Sequence, residues 1–365
     1  MPGGGAEVHR RGVCGGDLFR RAAAWAGRLL LVVGDLIADR YIYGEAVRIS
    51  REAPVLILRQ ERERLVPGGA ANAARNVQSL GGRAVLVGAV GGDAVGQGLL
   101  AALAEEGIQT GEVAVCPTWE TWSKTRILGG GRQAIRQQLV RLDRGPAGPL
   151  PAEAEELLAR RVRELVPRAE GVIVSDYGCG TVTPRLREAV LEAAARAGIF
   201  VGVDSRYSLL AFGGASAATP NEPEAEEALG KALRTEEELL QGGRELLQRL
   251  GCRTLLITRG ERGMFLFTEE GGVYDLPAYQ PETVFDVTGA GDTVMACFAL
   301  GLSSGVPPLE AALLANLAAG LAVRRPGAAA VTGEELQAAL AAWQPVYRCL
   351  EEEKGEQAAA RRRAG

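Results

Sequence analysis

Short apolar runs that recur along the chain restrict its fold more than any other feature. They are RLLLVVGD (28–35), AVLVGAV (84–90), GVIVSDY (171–177), IFVGVDS (199–205) and TLLITRG (254–260). Runs this brief and this apolar fit strands buried on both faces. Helical patterns lie between them, near 70–80, 94–107, 153–168, 184–197 and 235–251. Strands alternating with helices predict an α/β protein whose parallel sheet is covered on both faces. Ligands of such sheets sit beyond the carboxyl ends of the strands. Several runs end there in polar residues: Asp35, Asp176, Asp204 and Thr258.

Two segments break the alternation, 40–66 and 112–143, where β-branched and aromatic residues cluster in short runs. They read as strands of a small sheet projecting from the main domain. Such a sheet must bury one face, against a substrate, a partner subunit or both. The rest divides into a flexible leader with a short helix (1–27), a main domain (28–345) and a charged tail (346–365).

Composition removes several chemistries. The only histidine is His9, in the leader, which leaves no Ser-His-Asp triad and no histidine-bound catalytic metal. The 6 cysteines are scattered without a CxxC pair, which fits a reducing cytosol and neither a zinc cluster nor a disulfide framework. A net charge of −4 does not suit a nucleic-acid or anionic-lipid surface. No apolar run is long enough for a membrane span, and the N-terminus lacks the apolar core of a secretory signal.

The strongest chemical motif is DVTGAGDT (286–293), placed directly before the apolar helix TVMACFALGL. Gly289 and Gly291 carry no Cβ, so the backbone N–H groups of Gly289, Ala290 and Gly291 can close on an anion. The helix start adds unpaired donors and a partial positive charge. Asp292 lies in the same turn, within reach of a hydroxyl attacking a bound phosphate, and phosphoryl transfer needs a group to accept that proton. A plain helix cap would use the same residues. A second glycine-rich segment, PGGAANAARNVQSLGG (67–82), offers Gly68 and Gly69 for close backbone approach and Asn72 as donor and acceptor. Alone it also fits a turn and a helix start.

Together these two segments resemble the hallmarks of the ribokinase-like, PfkB-type carbohydrate kinases. The resemblance implies a three-layer α/β/α fold with a mainly parallel central sheet and a small projecting β lid. Further segments narrow it: GDLIADRYIYG (34–44), RISREAPV (48–55), SKTRIL (123–128), QQLVRLD (137–143) and SDYGCG (175–180). They are similar to the heptose 7-phosphate kinase domain of ADP-heptose biosynthesis, over about residues 28–340. That domain phosphorylates D-glycero-β-D-manno-heptose 7-phosphate at the C1 hydroxyl with ATP. The nucleotidyltransferase often fused to it would need a further HxGH-type motif, so the chain reads as the kinase alone.

Carried onto this sequence, the resemblance gives Asp292 the role of catalytic base. It gives Asn221 and Glu224 of TPNEPEAEEALG (219–230) the nucleotide phosphates and Mg²⁺, which Glu224 would hold through water. Thr258 and Gly260 would lie beside the nucleotide. Asp35, Asp39 and Asp176 would grip sugar hydroxyls. Lys124 and Arg126, two apart on one lid strand, would clamp the sugar's own phosphate, with Arg48, Arg51 and Arg141 as further candidates. Edge-strand charge that blocks aggregation explains the same residues. A homodimer through the lid is implied too, the scattered cysteines suit a cytoplasmic location, and whether a monovalent cation orders the loops 284–291 and 326–331 stays open at this point. The chain departs from the pattern at DSRYS (204–208), where related kinases read Asp-Pro-Lys-Gly; Arg206 takes the lysine's offset. Rival readings are a PfkB-type kinase for another sugar, sugar phosphate or nucleoside, or a non-catalytic relative. A dinucleotide enzyme is disfavoured because GAVGGDAVG (88–96) lacks GxGxxG spacing.

Overall fold

The computed structural model describes residues 15–130, 137–279 and 284–351. The chain enters through helix α1 (Gly15–Ala23) and strand β1 (Leu29–Gly34). Two long strands follow, β2 (Leu36–Ile49) and β3 (Leu56–Gly69), then α2 (Ala70–Ser79), β4 (Arg83–Gly91), α3 (Ala94–Glu105) and β5 (Val113–Cys116). Strands β6 (Trp122–Gly130) and β7 (Gln137–Arg144) precede α4 (Ala152–Leu165), β8 (Gly171–Asp176), α5 (Pro184–Ala197), β9 (Phe200–Ser205) and β10 (Ala217–Ala218). Next come α6 (Glu222–Leu229), α7 (Glu236–Leu250), β11 (Thr254–Thr258), β12 (Met264–Thr268) and β13 (Val273–Leu276). Helices α8 (Ala290–Ser303), α9 (Pro308–Ala322) and α10 (Gly333–Ala342) and strand β14 (Arg348–Glu351) are the last elements among the described residues.

The central sheet has the order β14-β13-β12-β11-β10-β9-β8-β1-β4-β5. Every pairing from β11 to β5 is parallel, and β12, β13 and β14 add on antiparallel. Side chains of a strand alternate between faces, and β1 shows why its run is uniformly apolar. Leu30 and Val32 join a core with α1, α2, α3, α8, α9 and α10. Leu31 and Val33 join a second core with α4, α5, α6 and α7. Both faces are covered, so the three-layer expectation holds.

The lid is a four-stranded sheet of order β3-β2-β6-β7, with β2 and β6 parallel and the outer pairs antiparallel. It starts earlier than expected, because β2 follows β1 with only Asp35 between them. The span 112–143 is also corrected: Val113–Cys116 belongs to the main sheet, parallel to β4. Val113, Ala114 and Cys116 are buried there, and α3 serves as the crossover that a parallel neighbour requires. At the other end the span 346–365 is not all tail, since Arg348–Glu351 pairs with β13. The leader before residue 15 and the tail beyond 351 lie outside the described residues. No helix among the described residues is long and apolar enough to cross a membrane.

Candidate active site

Parallel pairing brings the ends of β1, β8, β9 and β11 to one edge of the sheet, and α8 starts at the same edge. Gly289 precedes α8 with φ 79, and no side chain caps the helix. A Cβ at Gly289 would lie 2.6 Å from Asn72 Nδ2, so glycine is required both by its φ and by space. The Ala290 N–H donates to the Val287 carbonyl at 3.2 Å, while the Gly291 N–H has no side-chain cap and remains available to an anion.

Asp292 sits in that first turn, 3% exposed. Asn72 Nδ2 donates to its Oδ2 at 2.7 Å, and the Tyr177 hydroxyl donates to its Oδ1 at 3.0 Å. Burial raises the Asp292 carboxyl to about 6; the Asn72 and Tyr177 hydrogen bonds oppose that rise. A carboxylate poised there ionises near neutrality and is basic enough to take a proton. Asn72 is itself held. Arg75 Nη1 donates to its Oδ1 at 3.3 Å and to the Ala328 carbonyl at 3.1 Å. One turn on, the Thr293 hydroxyl donates to Asn76 Oδ1 at 2.9 Å. Helices α2 and α8 are therefore locked together behind the base.

Beside Asp292 lies a cavity of about 230 Å³, lined among others by Asp204, Arg206, Thr219, Asn221, Glu224, Thr258 and Gly291. The Thr219 hydroxyl is buried and unpartnered, as a group awaiting a ligand would be. Burial, then the neighbouring Glu224 and Asp292, push the Asp204 carboxyl well above its ordinary range. Burial also raises Glu224. Two crowded carboxyls relieved by one guanidinium suit a cation bound largely through water and phosphate oxygens. Among the described residues no three His, Cys, Asp or Glu form a closed metal cage.

The other expected residues are sorted by this geometry. Asn221 and Glu224 cap α6 reciprocally: Asn221 Oδ1 accepts from Glu224 N and Glu224 Oε2 accepts from Asn221 N, both at 2.9 Å. They line the cavity at the same time. Thr258 reaches it, held by its N–H on the Pro220 carbonyl at 2.9 Å. Gly260 is exposed with φ 58 and opens a 3-10 turn, outside the cavity's lining. Asp35, expected to grip a sugar hydroxyl, is fully buried, and its carboxylate is taken up by backbone donors. Its Oδ2 accepts from the N–H groups of Tyr177 and Cys179, at 2.8 and 3.0 Å, and its Oδ1 accepts from Thr181 N at 2.9 Å. It shapes the loop that carries Tyr177. Asp176 lines the cavity and accepts from Gly178 N at 3.1 Å and the Ser205 hydroxyl at 2.7 Å.

On the lid, register places Asp39 opposite Lys124 and Tyr41 opposite Arg126. Arg126 forms an ion pair with Asp39 and is not a free phosphate clamp. Gly68 makes room for that pair, since a Cβ there would meet Asp39 Oδ2 at 2.3 Å. Gly69, φ 59, would carry a Cβ 2.5 Å from the Asp35 carbonyl oxygen. Lys124 Nζ lies 5.0 Å from the centre of the Tyr177 ring, close to the base. Arg141 is bonded twice to Asp143, at 2.9 Å. Arg48 and Arg51 are exposed, outside both the lining of this cavity and the partners of Asp292. Tyr177 and Thr219 are not among the expected site residues; the signal for Tyr177 is its place in SDYGCG (175–180), just past the β8 end.

The chain has relatives among known proteins. The profile described as "pfkB family carbohydrate kinase" matches residues 28–334. Among curated proteins it is 43% identical over 307 residues to the "Bifunctional protein HldE" of Geobacter metallireducens, covering 84% of this chain and 61% of that one. The protein of the same name from Trichlorobacter lovleyi is 40% identical over 325 residues, 89% of this chain and 64% of that one. The chain thus spans under two thirds of the length of these relatives. Among solved structures, Arabidopsis thaliana ribokinase complexed with ribose and ATP superposes with TM-score 0.66 at 21% identity, over 87% of this chain and 100% of that one. Escherichia coli phosphofructokinase-2 in complex with potassium gives 0.70 at 20% identity, over 87% and 98%. At those identities the structures support the fold alone.

Proposed function

This chain belongs to the pfkB family of carbohydrate kinases, and on that premise we propose that it transfers the γ-phosphate of ATP to the C1 hydroxyl of D-glycero-β-D-manno-heptose 7-phosphate. The observation that carries the reading is Asp292: a buried carboxylate at an uncapped helix start, oriented by Asn72 and Tyr177 and facing the crevice under the lid. The sugar substrate follows from the likeness to the HldE proteins over most of this chain.

In this reading the nucleotide's phosphates lie in the cavity of Thr219, Asn221 and Arg206, with the terminal one against the α8 N–H groups. Asp204, Asn221 and Glu224 would hold magnesium mainly through water, and magnesium there would offset the charge of the phosphates. Asp292 takes the proton from the attacking hydroxyl while the Gly291 N–H and the positive end of α8 meet the developing negative charge. Lys124, beside Asp292, adds a positive charge where the transfer occurs. Lid residues Asp39, Gly68 and Gly69 border the sugar and exclude water. A monovalent cation is assigned to the loops 284–291 and 326–331, which Asp286 already joins by accepting the Gly327 N–H at 2.9 Å. Two copies would pair through their lids, in the cytoplasm.

The test is kcat/KM with ATP across a panel of heptose, hexose and pentose substrates with and without a phosphate. The heptose 7-phosphate should rank first. A better rate with another sugar would overturn the substrate and leave the kinase in place. Asp292→Asn should lower kcat by about a thousandfold or more, in the range expected for loss of a general base, while ATP still binds in equilibrium measurements.

A further inference from the structure

Near the Asp292 centre, the inner face of the lid and the loop after α9 enclose a second cavity, of about 360 Å³. Tyr41 of β2, Arg64 of β3, Arg75 of α2 and Arg325, Gly327 and Ala328 of the loop border it. Tyr41 stands opposite Arg64 on one side and Arg126 on the other, one row further out along the lid than Asp39 and Lys124.

The Tyr41 side chain is the first sign of a ligand. The residue is 5% exposed, and its hydroxyl has no hydrogen-bond partner. Buried polar groups are almost always bonded, so this donor lacks its counterpart. Gly327 leaves space for one: even an added Cβ would stay 3.5 Å from the Tyr41 hydroxyl oxygen. Burial pushes the phenol up to about 12, so it keeps its proton and can donate.

Charge is the second sign. Arg64 is exposed and enters no side-chain ion pair among the described residues. Arg126 lies 5.2 Å from the centre of the Tyr41 ring. The acidic neighbours of Tyr41 are already answered: Asp39 by Arg126, and Asp286 by the N–H groups of Thr288 and Gly327. Arg75 and Arg325 are occupied by Glu106 and Glu335 but add positive potential to the wall. Tyr41, Val66 and Ala328 pack together beneath, which lowers the local dielectric and strengthens every charge interaction.

Location is the third. Contacts run from the base to the cavity wall through Asp292–Asn72 at 2.7 Å, Asn72–Arg75 at 3.3 Å and Arg75–Ala328 at 3.1 Å. Through these contacts the base and the cavity wall belong to one hydrogen-bonded unit.

We propose that this cavity is the subsite for the second, non-reacting phosphate of the sugar phosphate, with Tyr41 donating a hydrogen bond and Arg64 supplying the unpaired charge. A guanidinium fork takes two phosphate oxygens and a hydroxyl takes the third. The assignment rests on the reading that the acceptor is a sugar phosphate, and it moves the clamp away from Lys124 and Arg126. Lys124 belongs beside the reacting phosphate, and Arg126 is held by Asp39.

Two measurements test it, on wild type, Arg64→Ala and Tyr41→Phe. Neither substitution threatens folding: Arg64 is exposed, and Tyr41→Phe deletes a hydroxyl that bonds to nothing. The first is equilibrium binding of inorganic phosphate with the nucleotide site saturated by a non-hydrolysable ATP analogue. Arg64→Ala should weaken it by about tenfold and Tyr41→Phe by several-fold, as charged and neutral hydrogen bonds differ. Equal affinity in all three proteins, or no phosphate bound by wild type, overturns the subsite. The second is the kinetic split with heptose 7-phosphate: KM should rise in both variants by more than kcat falls. A wild type that binds phosphate with the expected variant pattern but does not turn over heptose 7-phosphate overturns that substrate and leaves the subsite standing. Turnover with KM unchanged in the variants overturns the subsite and leaves the substrate.

Discussion

Asp292 receives one neutral donor on each carboxylate oxygen, and that balance sets the pH at which it works. Burial raises its pKa, to about 6, while Asn72 and Tyr177 favour the charged form. Below about 6 the group is protonated and cannot accept the hydroxyl proton, so kcat/KM should fall by tenfold per unit on the acid side and level off above the knee. Tyr177→Phe removes a donor to the charged form. The carboxyl then rises further, and the knee moves to higher pH. A hydrogen bond of about 1 kcal/mol corresponds to a shift of somewhat under one unit. The pH profile of kcat/KM reads this directly. If Tyr177 only packs, the variant loses rate with the knee in place. The loop that carries Tyr177 is held by Asp35, whose carboxylate accepts three backbone hydrogen bonds just after β8.

Among the elements, α6 carries a test of dual roles. Asn221 caps the helix and also faces the nucleotide cavity. Asn221→Ser keeps a good cap, whereas Asn221→Ala loses one and should cost about 1 kcal/mol of stability. If Asn221 also meets the nucleotide, both variants raise KM for MgATP, but only the alanine variant melts earlier. A serine variant with unchanged KM would reduce Asn221 to a cap. The same distinction governs what a sequence can reveal. Strands β1, β4, β8, β9 and β11 were legible because burial on both faces leaves no polar alternation. The two-residue β10 and the edge strand β14 were not, since neither is long enough to carry a pattern. Strand β5 was misplaced because VAVC reads equally well in a lid or a sheet edge. Asp292 and Asn72 were legible from glycine-rich segments that can serve little else. Their hydrogen bond joins residues 220 apart, and the orphan hydroxyl of Tyr41 depends on lid register; neither leaves a local trace.

For the whole molecule the lid is an element that leaves large apolar side chains exposed among the described residues. Its inner face holds Lys124, Arg126 and Tyr41 over the crevice. Alternation along β7 turns Val140 and Leu142 to the opposite face, because Arg141 and Asp143 are the partners of Arg126 and Lys124. Val140 is 46% exposed and Leu142 56%, and at the far end of the lid Ile49 is 65% exposed. A four-stranded sheet that leaves these side chains exposed gains most by laying this face on an equal surface, and a second copy provides one. Pairing would also fix the lid's angle over the crevice, and so the depth at which Asp39 and Tyr41 meet the sugar. Light scattering on a sizing column should give the mass of a dimer for the wild type. Val140→Glu combined with Leu142→Glu should give a monomer, since burying two carboxylates opposite their own copies costs several kcal/mol. The monomer should keep its main-sheet stability and its ATP affinity but show a raised KM for the sugar phosphate, because only the lid is loosened. A monomeric wild type at assay concentration would end the dimer proposal. A dimeric double variant would move the interface elsewhere on the molecule.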